Sequence, residues 1–169
     1  MAAGPRRAPA RRRRSDARDA GDRPHPHDLP ITSLQADVGA TGLASGEYDL
    51  VTTCLVEEHL RDLRPLYREA SRLLRPSGRY VLVGYHPHFI MTTGMPTHFD
   101  RASGESVAIE TYVHLMSDHV TAARAVELSL VEMRERLVDD RWIALKPRWE
   151  PYRHHPVSFV MTWQRSAVA

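Results

Sequence analysis

The stretch from Tyr48 to Tyr85 constrains the fold of this chain more than any other. It opens with "YDLVTTCLV" (48–56), whose β-branched content and flanking turn residues predict a strand. Leu60, Leu63, Leu66, Tyr67, Ala70, Leu73 and Leu74 then recur at three- and four-residue spacing. That spacing predicts a helix over 60–74 with one apolar stripe, stopped by Pro76 and Gly78. "RYVLVGY" (79–85) is a near-continuous apolar run of strand length, the pattern of a strand covered on both faces. Strand, helix and strand at this spacing predict a right-handed parallel crossover unit. Upstream, "ITSLQAD" (31–37) alternates weakly and predicts a further strand.

The second half changes character. Residues 86–116 mix His, Pro, Gly, Thr and Met with little periodicity. Ser117 is a plausible N-cap for a helix running through Val120, Ala123 and Leu128. "LSLVEMRERLV" (128–138) alternates apolar and charged residues, as a half-exposed antiparallel strand does. "VSFVMTWQR" (157–165) predicts a last strand, with Pro156 stopping the loop before it. Parallel strands first and an antiparallel pair last predict a mixed α/β sheet.

Composition enters through its unevenness. Of the 169 residues, the first 30 hold eight arginines against four aspartates, a net of +4, with five prolines. The remainder carries 15 basic and 17 acidic groups, a net of −2. Between Ala2 and His27 no aliphatic residue exceeds alanine, so this Arg/Pro/Ala-rich segment cannot offset its ordering entropy by burial. It is expected to be a disordered tail, 1–30, ahead of a domain at 31–169. Nucleic-acid binding through "RRRR" (11–14) is not expected, since no aromatic or base-reading motif accompanies it. No apolar run reaches the roughly 20 residues of a membrane helix, and none follows the arginines as an export signal requires. A cytoplasmic setting is expected. The single cysteine, Cys54, excludes a disulfide framework and a Cys-built zinc site.

"ADVGATGLASGEYDLVTTCLVEEHLRDLRPLYREASRLLRPSGRYVLVGYHP" resembles the middle of a class I S-adenosylmethionine-dependent methyltransferase of the type 11, ubiquinone-biosynthesis-like kind. Asp37 stands twelve residues before Asp49 of "YDLV", "LVEEHL" with His59 follows the strand, and "REASRLLRPSGRYVLVG" matches the family's helix-to-strand passage. The resemblance spans about 31–165 and implies a Rossmann-like sheet of order 3-2-1-4-5-7-6 with helices on both faces. This chain would hold strands 3, 4, 5, 7 and 6. The family's opening strand with its Gly-rich loop, and the acid that binds the ribose, have no counterpart here; Gly39 and Gly42 lie after Asp37. The chain thus looks like the C-terminal two-thirds of such a domain. Strand 48–56 would then be an exposed apolar edge in a sheet running 48–56, 79–85, 157–165, 128–138, with 31–37 left without a neighbour. A homo- or hetero-oligomer covering that edge is the expected remedy.

The resemblance implies S-adenosylmethionine as cofactor and a small-molecule methyl acceptor. Transfer of a methyl group from a sulfonium rests on alignment and a dry pocket more than on acid–base groups. By family position Asp37 would accept from the adenine amino group; a loop-capping aspartate is its other reading. Cys54 and Leu55 would lie at the carboxyl end of the strand, where open α/β sheets bind ligands, with Cys54 expected as a small buried residue. His59 is either cofactor- or substrate-facing or a cap for the following helix. His86 and His88 follow the next strand and are candidates for a general base. His86-x-His88, His98, His114 and His119 lack a third ligand at recognisable offset, so no metal is expected. "HFDRASGE" (98–105) and "YVHLMSD" (112–118) are expected to cover the acceptor pocket. Trp142, Trp149 and Trp163 fit core packing and a lid. Three readings compete: a methyltransferase, a non-catalytic remnant that binds a partner, and, less expected, a nucleic-acid-binding protein acting through the Arg-rich tail.

Overall fold

β1 (Tyr48–Cys54) and β2 (Leu74–Tyr85) run parallel, joined by a 3-10 turn at Glu57–His59 and helix α1 (Arg64–Leu73). This is the expected crossover, with two adjustments. The helix begins at Arg64 instead of residue 60, because the 3-10 turn ends in an extended Leu60 (φ −104°, ψ 126°). Pro65 then sits in the first turn, where a missing N–H costs nothing. β2 starts directly after the helix: Leu74 pairs with Tyr48, and a register break precedes the regular ladder from Leu50↔Arg79 to Cys54↔Val83. Arg75 reaches back to Asp49 (2.9 Å), which gives that aspartate a structural partner.

These elements come from a computed structural model that describes residues 32–94 and 97–167. The tail expected at 1–30 lies outside the described residues. Met1–Leu34 and Gln35–Ala169 are separate units, and every helix and strand among the described residues belongs to the second.

α2 (Pro87–Thr93) follows β2 and ends at Gly94 in the left-handed conformation (φ 57°). β3 (Thr97–Asp100) and β4 (Ser106–Ile109) form an antiparallel hairpin within the segment that shows no periodicity in sequence. α3 (Met116–Arg124) starts one residue before the expected Ser117 cap, and the Asp118 carboxylate accepts the N–H of Leu115 (2.8 Å). β5 (Leu128–Leu137) begins at Leu128, which therefore opens a strand and does not extend the helix. α4 (Asp140–Leu145) is capped by Asp139, which accepts from Trp142 N–H (2.8 Å), and a 3-10 turn (Pro147–Tyr152) leads into β6 (Pro156–Arg165).

The main sheet has the order β1-β2-β6-β5, with β6 antiparallel to both neighbours. This is the order the resemblance implies for these four strands. The strand expected at 31–37 is not there: residues 32–36 are irregular, and Asp37 makes only an isolated bridge to Ala40. A strand needs a partner ladder, and the local turn closes those hydrogen bonds instead. Among the described residues β1 is accordingly an edge, with Leu50 55% exposed.

Alternation along β2 and β6 buries Tyr80, Leu82, Phe159, Met161 and Trp163 on one face, where Leu63, Leu66, Tyr67 and Ala70 of the α1 stripe and Ala122 and Ala123 of α3 meet them. Each large side chain so buried contributes about 1.5–3 kcal/mol. The Tyr67 ring sits edge-on to Tyr80 (5.5 Å) and Trp163 (5.8 Å). A second cluster joins Phe89, Val138 and Val157 with Trp142 and Trp149; Phe89 and Trp149 stack at 5.0 Å. Among the described residues no helix is long and apolar enough to cross a membrane.

Candidate functional site

The carboxyl ends of β1 and β2 lie side by side because Cys54 pairs with Val83. Past Cys54 the backbone takes a left-handed residue, Leu55 (φ 55°), whose N–H still bonds to Val83 O (2.9 Å). A non-glycine residue there is strained, a feature that concentrates at functional sites. Cys54 is exposed, a correction to the buried residue expected: among the described residues, edge strand β1 has no neighbour on its free side to cover it.

The 3-10 turn after Leu55 carries Glu57 and Glu58 inward, at 3% and 2% exposure. Glu57 Oε2 accepts from Val56 N–H (3.2 Å), while Glu57 Oε1 and Glu58 Oε2 have no hydrogen-bond partner. Burial pushes the Glu57 carboxyl up to about 7, with the Glu58 charge adding to it and backbone N–H bonds opposing. His59 stays at the mouth, its Nε2 3.8 Å from Glu58 Oε1.

The segment 110–115 straps this turn down. Tyr112 N–H donates to Glu58 O (2.7 Å), His114 Nε2 donates to Leu60 O (2.7 Å), and His59 Nδ1 donates to Glu110 O (3.3 Å). His59 therefore ties the turn to the strap and does not cap α1. From α3, His119 is buried with Nδ1 2.9 Å from the Tyr67 hydroxyl; burial lowers its pKa to about 4 and keeps it neutral. Glu57, Glu58, Tyr85, Tyr112, His114 and His119 line a small pocket together with the apolar Ile90 and Phe159.

His86 and His88 belong to a different constellation. His86 Nε2 is 2.8 Å from Glu135 of β5, and its Nδ1 accepts the N–H of His88 (3.1 Å) as the cap of α2. Neutral His86 thus carries its proton on Nε2 and has its lone pair engaged, leaving no free site for a base. His88 packs edge-on against His155 at 5.2 Å and keeps only a long contact, 3.4 Å, to Thr92. Asp37 stands apart from both groups: it is exposed, and its Oδ1 accepts from Gly39 N–H (2.7 Å). The loop after it is held to α1 where Thr41 N–H and Oγ1 donate to Glu69 Oε1 (2.9 and 2.5 Å).

The structure thus brings Cys54, Leu55 and His59 together and places His86 and His88 at the neighbouring strand end. Sequence reasoning missed Glu57, Glu58 and Tyr112. The only signal for the acids was their place in "LVEEHL", directly after an apolar strand. Among the described residues no three His, Cys, Asp or Glu converge as metal ligands.

For S-adenosylmethionine these residues fit in part. Asp37 presents a carboxylate, and Cys54 and Leu55 present an open strand end with an exposed backbone turn. The described residues include no glycine-rich turn between a strand and a helix to cradle the rest of the group.

Residues 9–82 match a family described as a methyltransferase domain. The match covers β1, α1 and most of β2, and it begins inside the Arg-rich segment 1–30. No curated protein matches the chain. Among solved structures, an S-adenosylmethionine-dependent methyltransferase from Mesorhizobium loti is 18% identical, with 82% of this chain and 72% of that one covered and a TM-score of 0.63. A similar protein described as a putative S-adenosylmethionine-dependent methyltransferase, from Listeria monocytogenes, is 10% identical over 80% and 72% of the two chains, with a TM-score of 0.61. A third, from Methanosarcina mazei, is 12% identical over 79% and 66%, with a TM-score of 0.54. At these identities the likeness establishes the fold. By the matched segment and by fold, the chain is similar to methyltransferase domains, and its fold is that of the S-adenosylmethionine-dependent proteins named above.

Proposed function

We propose that this chain binds S-adenosylmethionine against the carboxyl end of β1 and serves methyl transfer to a small-molecule acceptor. The observation that carries the reading is the exposed, left-handed exit of β1 at Cys54 and Leu55, beside His59, on the edge where parallel α/β sheets take ligands. When bound, the cofactor supplies an electrophilic methyl group. The chain's own residues do the rest: Asp37 takes a hydrogen bond from the adenine end, Leu55 and Cys54 form the floor, and His59 faces the reacting end. His88, with its ring free of strong hydrogen bonds, is the better of the two candidate bases after β2. Tyr85 and the 110–115 strap keep water from the acceptor.

A second reading is favoured by one observation. β1 is an open edge, and the described residues supply only part of a cofactor cradle. A non-catalytic remnant, or one half of an oligomer that covers this edge, has the same features.

Calorimetric titration of S-adenosylmethionine into the purified chain, with Asp37→Ala alongside, separates these. Micromolar binding that weakens at least tenfold in Asp37→Ala supports the enzyme. No binding by a folded chain overturns it in favour of the remnant. Sedimentation of the same sample tests the oligomer.

A further inference from the structure

Glu57 and Glu58 are both more than nine-tenths buried, and among the described residues the only basic side chain within ion-pair range of either is His59, 3.8 Å from Glu58. One oxygen of each has no hydrogen-bond partner. Adjacent buried carboxylates, each with an unpartnered oxygen, are costly, and the cost is relieved by a proton or by a cation. The pocket that both line has room for one water-sized group, about 10 Å³. Tyr85, Tyr112 and Phe159 also line the pocket. His119, the other ionisable group in the wall from α3, is neutral at physiological pH.

We propose that this pocket receives the ammonium head of an amine, and that the methyl acceptor is accordingly an amine. The acceptor role rests on the methyl-transfer reading; the pocket's choice of a cation does not. The chemistry is a single proton transfer. The ammonium nitrogen gives one proton to a carboxylate of the pair, leaving a neutral amine, whose freed lone pair is what an electrophilic methyl group requires, and a neutral carboxylic acid. Burial that raises Glu57 suits it to hold that proton near neutral pH.

The test is an NMR titration of the full chain with methylammonium chloride at pH 7.5, with sodium chloride and sodium acetate at equal ionic strength as controls. Saturable shifts of the Tyr85, Tyr112 and His119 signals are expected, half-complete at about 10 mM, the scale that two non-hydrogen atoms allow. Glu57→Gln and Glu58→Gln, each nearly isosteric, are expected to weaken binding tenfold or more. Equal shifts with sodium chloride, shifts that never saturate, or unchanged affinity in both folded variants would overturn the proposal. Should a variant fail to fold by circular dichroism, the wild type at pH 5 decides. There Glu57 is protonated, and His59 and His114 are the basic side chains that flank the pair. At least a threefold loss supports the pocket, and unchanged affinity overturns it. S-adenosylmethionine titrated in parallel keeps the two readings distinct. Methylammonium binding without S-adenosylmethionine binding supports the cation pocket and removes its role as acceptor site. The reverse keeps methyl transfer and overturns the amine.

Discussion

The Glu57 carboxylate occupies the space that a β-carbon on Gly84 would need, with the Phe159 ring edge 2.9 Å from the same point. The glycine is required here for close approach, since its backbone is ordinary strand. Gly84→Ala must push the carboxylate or the ring aside in a filled core, at a cost of about 1–3 kcal/mol by urea unfolding. Because Glu57 is the obstacle, Glu57→Ala combined with Gly84→Ala is expected to recover part of that loss. Simple additivity of the two costs would show that the acid is not where the crowding lies.

Two buried groups give stability opposite pH slopes. Glu57 is raised from its ordinary 4.5 to about 7, mainly by burial, so between those values the folded chain keeps a proton that the unfolded chain has lost. Stability therefore falls as pH rises through that window. His119 is lowered from 6.5 to about 4, also mainly by burial, so between those values the unfolded chain holds the extra proton. Its contribution rises with pH. Each effect is at most about 3 kcal/mol, and they oppose each other where the windows overlap. Melts of Glu57→Gln are expected to climb from pH 4 to 6.5, and those of His119→Gln to decline from pH 4.5 to 7. Identical profile shapes for both variants and wild type would contradict the assignment.

Glu69 is held at about 2 by its hydrogen bonds to Arg72 first, then by Thr41, against the opposing effect of burial. A depressed carboxyl stabilises above the ordinary 4.5 and loses that contribution as pH falls towards 2. Glu69→Gln is expected to cost about 1–2 kcal/mol at neutral pH and to free the loop after Asp37. Limited proteolysis reads this directly: cleavage within 41–47 should quicken, and an unchanged rate would detach the loop from Glu69.

His86 is a cap with a spent lone pair, so its replacement should act on stability. His86→Gln is expected to cost about 1 kcal/mol, the scale of a lost cap. Imidazole nitrogen NMR should find the proton on Nε2 in the wild type. A proton on Nδ1, or a stability unchanged by His86→Gln, would return His86 to the list of candidate bases beside His88.

Much of this fold is legible without coordinates. The α1 stripe, the apolar run of β2 and the strand runs of β5 and β6 are local patterns, and the observed strand order follows once the family resemblance is applied to them. The half-burial expected of β5 does not hold, since Leu130, Val131, Met133 and Leu137 are all exposed. That Cys54, Leu55 and His59 cluster at one strand end is legible for the same reason. The misses share a cause. "ITSLQAD" has the pattern of a strand, but pairing requires a neighbour, and Asp37 closes a turn with Ala40 instead. Cys54 reads as core until β1 is seen to be an edge.

The sequence by itself determined β1, α1, β2, β5 and β6 as elements and the buried stripe of α1, because side-chain periodicity acts over a few residues. Only the tertiary structure decided that Glu57 and Glu58 face inward. Their burial depends on Gly84 of the next strand and on Tyr112 and His114 of the strap, groups some 25–55 residues away along the chain. No local pattern records such neighbours, and desolvation by them is what gives the pair its chemistry.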